Sequence, residues 1–288
     1  MDFWLAVMME GTEHLLDIAR AAERLGYTGI VLADHIAVPH GFASVHPSGE
    51  NPFTERSDFP DPLTSIAAMS AVTTTLRFMP YVYVLPMREP FSVAKQAGTV
   101  AMLSQYRLAL GVGAGWLREE IELLGVDPRS RGRRMDEMIA IMRQFWTTGT
   151  AELHGEHFDF GPASMFPVPT GRIPVWVGGK SPAALARAAR NDGWLGMDYD
   201  LDEIDRLLPL LADARRRHHD AGGDADAPFE TLVIPRALPD RGLYASLQDK
   251  GVTSTVCVAW ALGEVSELGA KVDAMAAFAD AFIAPVAS

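Results

Sequence analysis

Phe3-Trp4-Leu5-Ala6-Val7-Met8 is followed by Thr12-Glu13-His14-Leu15-Leu16-Asp17-Ile18-Ala19-Arg20-Ala21-Ala22-Glu23-Arg24-Leu25, then by Gly29-Ile30-Val31-Leu32-Ala33, with Asp34-His35 directly after. The first and third pieces are short apolar runs of the kind buried on both faces in a parallel sheet. The middle piece spaces its apolar residues as a helix does, with Thr12 as its N-cap and Gly26 as its stop. A strand, a helix and a strand in that order make a βαβ unit.

The same alternation runs outward from this unit to the end of the chain. Helices are expected at Asp61–Thr73, Glu89–Ser104, Arg118–Leu124, Arg131–Thr148, Pro182–Asn191, Leu201–His219, Gly242–Lys250 and Glu264–Phe282. Strands are expected at Leu76–Leu85, Arg107–Val112, Ile173–Val177, Trp194–Met197, Phe229–Ile234 and Thr253–Val258. Eight strands, each followed by a helix, favour a single-domain (β/α)₈ TIM barrel over residues 1–288. An open doubly wound sheet is the alternative. It calls for a glycine-rich turn after its first strand, where this chain has Met9-Glu10-Gly11-Thr12.

Two connections exceed ordinary loops. Residues 36–60 follow the second strand and carry four prolines and two histidines, and are expected to form an active-site lid. Residues 150–172 precede the fifth strand, and Ala151–Leu153 and His157–Phe160 around Gly155 suggest a small hairpin. The net charge of −12, from 25 basic and 37 acidic residues, argues against nucleic acid as a partner. The single cysteine, Cys257, excludes an intrachain disulfide and fits a reducing compartment. No apolar run reaches the length of a membrane span, so a cytoplasmic protein is expected.

In such a barrel the chemistry sits at the C-terminal ends of the strands. Asp34-His35 is the most reactive pair there, because histidine titrates near neutrality. A hydrogen-bonded structural histidine is the competing reading. Metal hydrolysis is disfavoured, since the first strand has no His-x-His pair. Gly178-Gly179-Lys180-Ser181 leads from a strand into a helix, where free N–H groups attract an anion; a plain capped turn has the same pattern. Gly113-Ala114-Gly115-Trp116 would let a flat ring pass close to the backbone, or form only a tight turn. Tyr199, Arg236 and Trp260 end later strands and are candidates for a substrate pocket.

Longer motifs add a resemblance. Leu85-Pro86-Met87-Arg88-Glu89-Pro90, Ala94-Lys95-Gln96-Ala97, the run Leu103–Trp116, Arg133-Arg134-Met135-Asp136-Glu137, Pro174–Gly179 and Asp192-Gly193-Trp194 resemble the bacterial luciferase-like monooxygenase superfamily over roughly residues 1–200. The resemblance implies a TIM barrel that binds FMN or the deazaflavin coenzyme F420. Asp34-His35 looks like the F420-dependent branch, in which His35 would move a proton beside the reactive ring and Asp34 would orient it. It further implies a bulge with a non-prolyl cis peptide at Tyr81-Val82, behind the ring, although this chain has Tyr81 where the family usually has a small residue. Gly178–Ser181 falls at the family's cofactor-phosphate site. Hydride transfer between F420 and a small organic substrate is the expected reaction. An FMN monooxygenase fed by a partner reductase, and a non-catalytic flavin carrier, are the alternatives. A homodimer is expected by resemblance alone.

Overall fold

The structure, a computed structural model, describes residues 1–49, 51–260 and 266–283. In chain order its elements are β1 (Asp2–Val7), α1 (Leu15–Arg24), β2 (Gly29–Leu32), α2 (Pro62–Ser70), β3 (Arg77–Pro80), β4 (Tyr83–Val84), α3 (Pro90–Leu103), β5 (Leu110–Gly113), α4 (Arg118–Leu123), α5 (Arg131–Thr148), β6 (Thr150–His154), β7 (Asp159–Ser164), β8 (Val175–Gly178), α6 (Pro182–Ala189), β9 (Gly193–Tyr199), α7 (Leu201–Asp220), β10 (Glu230–Pro235), α8 (Arg241–Asp249), β11 (Ser254–Cys257) and α9 (Leu268–Phe278). All but β6 and β7 form one sheet, in the order β3-β2-β1-β11-β10-β9-β8-β5-β4, with parallel pairings throughout.

The barrel closes at β3 and β4, which are two halves of one barrel strand. The first half pairs with β2 and the second with β5. Phe78 N–H donates to Arg107 O and Ala109 N–H to Phe78 O, both at 2.9 Å, and complete the ring. The continuous strand expected over Leu76–Leu85 is therefore broken at Tyr81-Val82, whose peptide bond is cis. Pro80 has no N–H to continue the ladder at that point.

Burial divides into two layers. The barrel interior is filled by Trp4, Met79, Tyr81, Trp176, Leu195, Leu232 and smaller neighbours. Trp4 and Trp176 meet edge to face at 6.0 Å. A Cβ on Gly29 would fall 2.4 Å from the Trp4 ring, so only glycine leaves room for this indole. The second layer joins the outer faces of the strands to the helices. Each large side chain buried in either layer contributes about 1.5–3 kcal/mol.

A further local expectation changes at the first helix. Helix α1 starts at Leu15 with no side-chain cap, and Thr12 lies in the preceding turn. His14 at its start joins a buried cluster, in which Lys271 Nζ from α9 lies 2.5 Å from Glu10 Oε1 and 3.3 Å from His14 Nδ1. The 150–172 segment does hold an antiparallel hairpin, β6 with β7. The Glu137 carboxylate accepts the N–H groups of Glu156, His157 and Phe158 at 2.8–3.0 Å and fixes its turn. Cys257 is buried, which pushes its thiol up to about 12. Among the described residues no helix is long and apolar enough to cross a membrane.

Candidate active site

The top of the barrel interior is an apolar floor. Met8, Val82 and Ile234 pack on the buried interior layer and are themselves only partly covered. Val82, at the bulge, is seated on two bare backbones. A Cβ on Gly113 would lie 2.4 Å from Val82 Cγ2, and one on Gly178 would lie 3.0 Å from Val82 Cγ1. The glycines at the ends of β5 and β8 thus make the space that the bulge occupies. Tyr81 points the other way, into the interior, where its hydroxyl donates to the Gly196 carbonyl and burial pushes its phenol well up.

His35 stands at the edge of this floor, after β2. Its Nδ1 lies 2.6 Å from Glu120 Oε2, with side-chain exposures of 9% and 1%. The second Glu120 oxygen accepts the N–H groups of Ile36 at 2.6 Å and Ala37 at 3.1 Å. Carboxylate oxygens accept, so His35 Nδ1–H donates and Nε2 is the nitrogen left for chemistry. Asp34, expected to orient His35, is occupied elsewhere. Both its oxygens meet the Arg88 guanidinium, at 2.7 and 2.8 Å, and one also accepts Val84 N–H at 2.7 Å. Adjacent residues point their side chains to different sides of the chain, so Asp34 ties β2 to the bulge while His35 faces the mouth. Burial pushes the Asp34 carboxyl up, against the pull of Arg88.

The 36–60 loop folds back over His35. Phe53 and Phe59 lie 4.6 and 4.7 Å from its ring, and Trp116 lies 6.1 Å away. Phe42 and His46 pack on Trp116 at 6.2 and 5.1 Å. The loop has no helix or strand of its own among its described residues. It is pinned by α4, whose first turn supplies Glu120 to Ile36 and Ala37 and Glu119 to the N–H groups of Ala43 and Ser44. Those donors hold the Glu119 carboxyl down at about 2, the Ser44 side chain being the largest influence. Gly115, at φ +84°, makes the turn that presents Trp116 after Gly113 and Ala114.

The remaining candidates divide. Arg236 reaches the mouth but is engaged there, with Nη2 donating to Asp198 O at 2.9 Å and Nε 3.7 Å from both Asp198 and Asp200 carboxylates. Trp260 is half-buried and follows β11. Tyr199 is not at the mouth; it is 2% exposed and stacks on Trp194 in the outer layer, because its place in β9 turns it toward the helices. At Gly178–Ser181, Ser181 Oγ accepts Ala184 N–H at 3.2 Å and caps α6. The N–H groups of Ser181 and Ala183 have no acceptor among the described residues and face the end of that helix. Lys180 Nζ is held by Glu203 at 2.9 Å.

Sequence reasoning missed Glu120 and the phenylalanines of the loop. The one signal for Glu120 was a pair of acidic residues opening a helix, which ordinarily reads as a favourable charge at the dipole. Nothing in the sequence sets its register against His35, 85 residues earlier.

The sequence profile of the luciferase-like monooxygenase family matches residues 5–241. An uncharacterized protein of Mycobacterium tuberculosis is 39% identical over 99% of this chain and 100% of its own length. An F420-dependent glucose-6-phosphate dehydrogenase of Nakamurella multipartita is 26% identical, covering 82% of this chain and 69% of its own. Among solved structures, the monooxygenase RslO1 of Streptomyces bottropensis superposes with a TM-score of 0.79 at 19% identity, covering 98% of this chain and 99% of that one.

Proposed function

Because the chain belongs to the luciferase-like monooxygenase family, we propose that it is an F420-dependent oxidoreductase in which His35 moves the proton that accompanies hydride transfer to or from a small organic substrate. The observation that carries this reading is the His35–Glu120 pair beside an apolar floor at the mouth of the barrel. The floor suits a planar ring system, which Val82, Met8 and Ile234 would hold, with the close backbone of Gly113 and Gly178 behind Val82. The free N–H groups at the start of α6 and Ser181 suit the cofactor's phosphate. Once bound, the deazaflavin supplies a carbon that accepts or gives a hydride.

His35 does the acid–base work. With Nδ1–H committed to Glu120, Nε2 takes the proton from a substrate hydroxyl as its C–H hydride departs, or returns it in the reverse direction. The Glu120 carboxylate fixes the tautomer and stabilises the imidazolium. Asp34, Arg88 and Val84 hold the bulge that shapes the floor. The aromatic loop keeps water from the reacting atoms.

Titration of the cofactor-free protein with oxidised F420 and with FMN tests the cofactor, and tighter binding of F420 is expected. With F420 bound, His35→Ala should lose turnover while keeping cofactor affinity. Tighter binding of FMN, or undiminished turnover of His35→Ala, would overturn the reading.

A further inference from the structure

His46 is the one imidazole of the 36–60 loop that packs on a wall of the site, and the function above makes no use of it. Its Nδ1 lies 2.6 Å from Ser48 Oγ and accepts the Ser48 backbone N–H at 3.2 Å. A backbone N–H can only donate, so Nδ1 must be unprotonated and the neutral ring carries its hydrogen on Nε2. The Asn51 side chain accepts the His46 backbone N–H at 2.9 Å and holds the turn in place. Among the described residues Nε2 has no partner.

The ring stands edge-on to Trp116, at 5.1 Å and 85°, and His35 stands edge-on to the same indole, at 6.1 Å and 82°. Asp198, on the rim, and His35 both lie near enough to influence the charge of His46. Burial holds the ring below its ordinary value, and His35 adds to that effect while Asp198 opposes it. Protonation at Nδ1 would also break the bond to Ser48 N–H. The loop therefore presents a neutral N–H donor whose tautomer is set, beside the same aromatic wall as the proton-transfer histidine. The surrounding rings of Phe42, Phe53 and Trp116 are apolar and suit an uncharged molecule with a hydrophobic body.

We propose that His46 is a second substrate-binding imidazole, whose Nε2–H donates to the oxygen of a carbonyl-bearing substrate with an apolar body. This rests on the hydride-transfer reading. As hydride reaches the carbonyl carbon and the C=O π pair moves to oxygen, that oxygen gains negative charge. A neutral N–H stabilises it without giving up its own proton. The proton that completes the alcohol comes from His35. In the oxidative direction the same contact orients the hydroxyl whose proton His35 removes.

The test uses acetophenone and α-methylstyrene, which differ by C=O against C=CH₂ at nearly constant shape. Affinities are measured calorimetrically on the protein saturated with whichever cofactor binds. Wild type should prefer acetophenone by about three- to tenfold, the value of one added hydrogen bond. His46→Leu should lose the preference while keeping its affinity for α-methylstyrene, which also reports that the pocket is intact. His46→Gln, which retains an N–H donor, should keep most of it. In the cofactor-free protein, ¹⁵N NMR should show the neutral His46 ring protonated at Nε2. An Nδ1–H tautomer, a wild type that fails to discriminate, or an unchanged preference in His46→Leu overturns the proposal. Both readouts need no turnover. A His46-dependent preference without hydride transfer would sink the redox reading alone, and hydride transfer without the preference would sink this inference alone.

Discussion

Replacing Glu120 by Gln probes the site at its most informative point. The carboxylate accepts His35 Nδ1–H at 2.6 Å and two backbone N–H groups of the loop at 2.6 and 3.1 Å. Glutamine keeps one oxygen for Ile36 and Ala37, so the loop stays tied. It offers His35 an NH₂ group instead of an acceptor. His35 Nδ1 must then accept, and the ring hydrogen moves to Nε2, the nitrogen that faces the reaction. Loss of a bond to a charged group should cost about 1.5–3 kcal/mol of stability at most. A histidine in the wrong tautomer should lower turnover by about two to four orders of magnitude. Glu120→Ala should add instability, since two backbone N–H groups then lose their partner at roughly 1–3 kcal/mol each. Turnover is followed by F420 absorbance with a substrate found by screening, and the tautomer by ¹⁵N NMR. Turnover of Glu120→Gln within threefold of wild type, or a His35 ring still protonated at Nδ1, would refute the reasoning.

Three further outcomes follow from the packing. Asp34→Ala leaves the Arg88 guanidinium in place without its partner, where the two side chains are 0% and 14% exposed, and should destabilise by about 3–5 kcal/mol in urea unfolding; Asp34→Ala with Arg88→Leu should recover part of that loss. Gly113→Ala places a methyl 2.4 Å from Val82 Cγ2, so it should cost about 1–3 kcal/mol and weaken cofactor binding in the same titration that compares F420 with FMN. Burial tends to raise the Glu23 carboxyl, but the N–H groups of Thr75, Thr74 and Leu76 outweigh it and hold the group at about 2, against an ordinary 4.5. Its folded value is depressed, so its stabilisation is full above pH 4.5 and is lost as pH falls toward 2. The melting temperatures of wild type and Glu23→Gln should accordingly converge between pH 5 and pH 2, and a constant gap would contradict this.

The barrel itself was legible from the chain, because hydrophobic periodicity is a local property and strict strand–helix alternation admits few topologies. The hairpin around Gly155 and the cap at Ser181 were legible for the same reason: turn chemistry is written in adjacent residues. The place of His35 at the end of β2 also came from the sequence, since position along a barrel strand fixes which end of the barrel a residue reaches. Its partner did not. Glu120 meets His35 only because α4, after β5, is carried around the barrel against the loop after β2, and the depth of a helix against a loop has no local signature. Tyr199 was misplaced for a related reason: the side of a strand a residue faces depends on register, and β9 pairs with β10 through a shift at Val233/Ile234. The sequence alone determined the barrel and the place of His35 after β2. Only tertiary structure decided which side chains touch, because the contacts that set a tautomer or seat a side chain on bare backbone depend on ångström-scale distances between segments far apart in the chain.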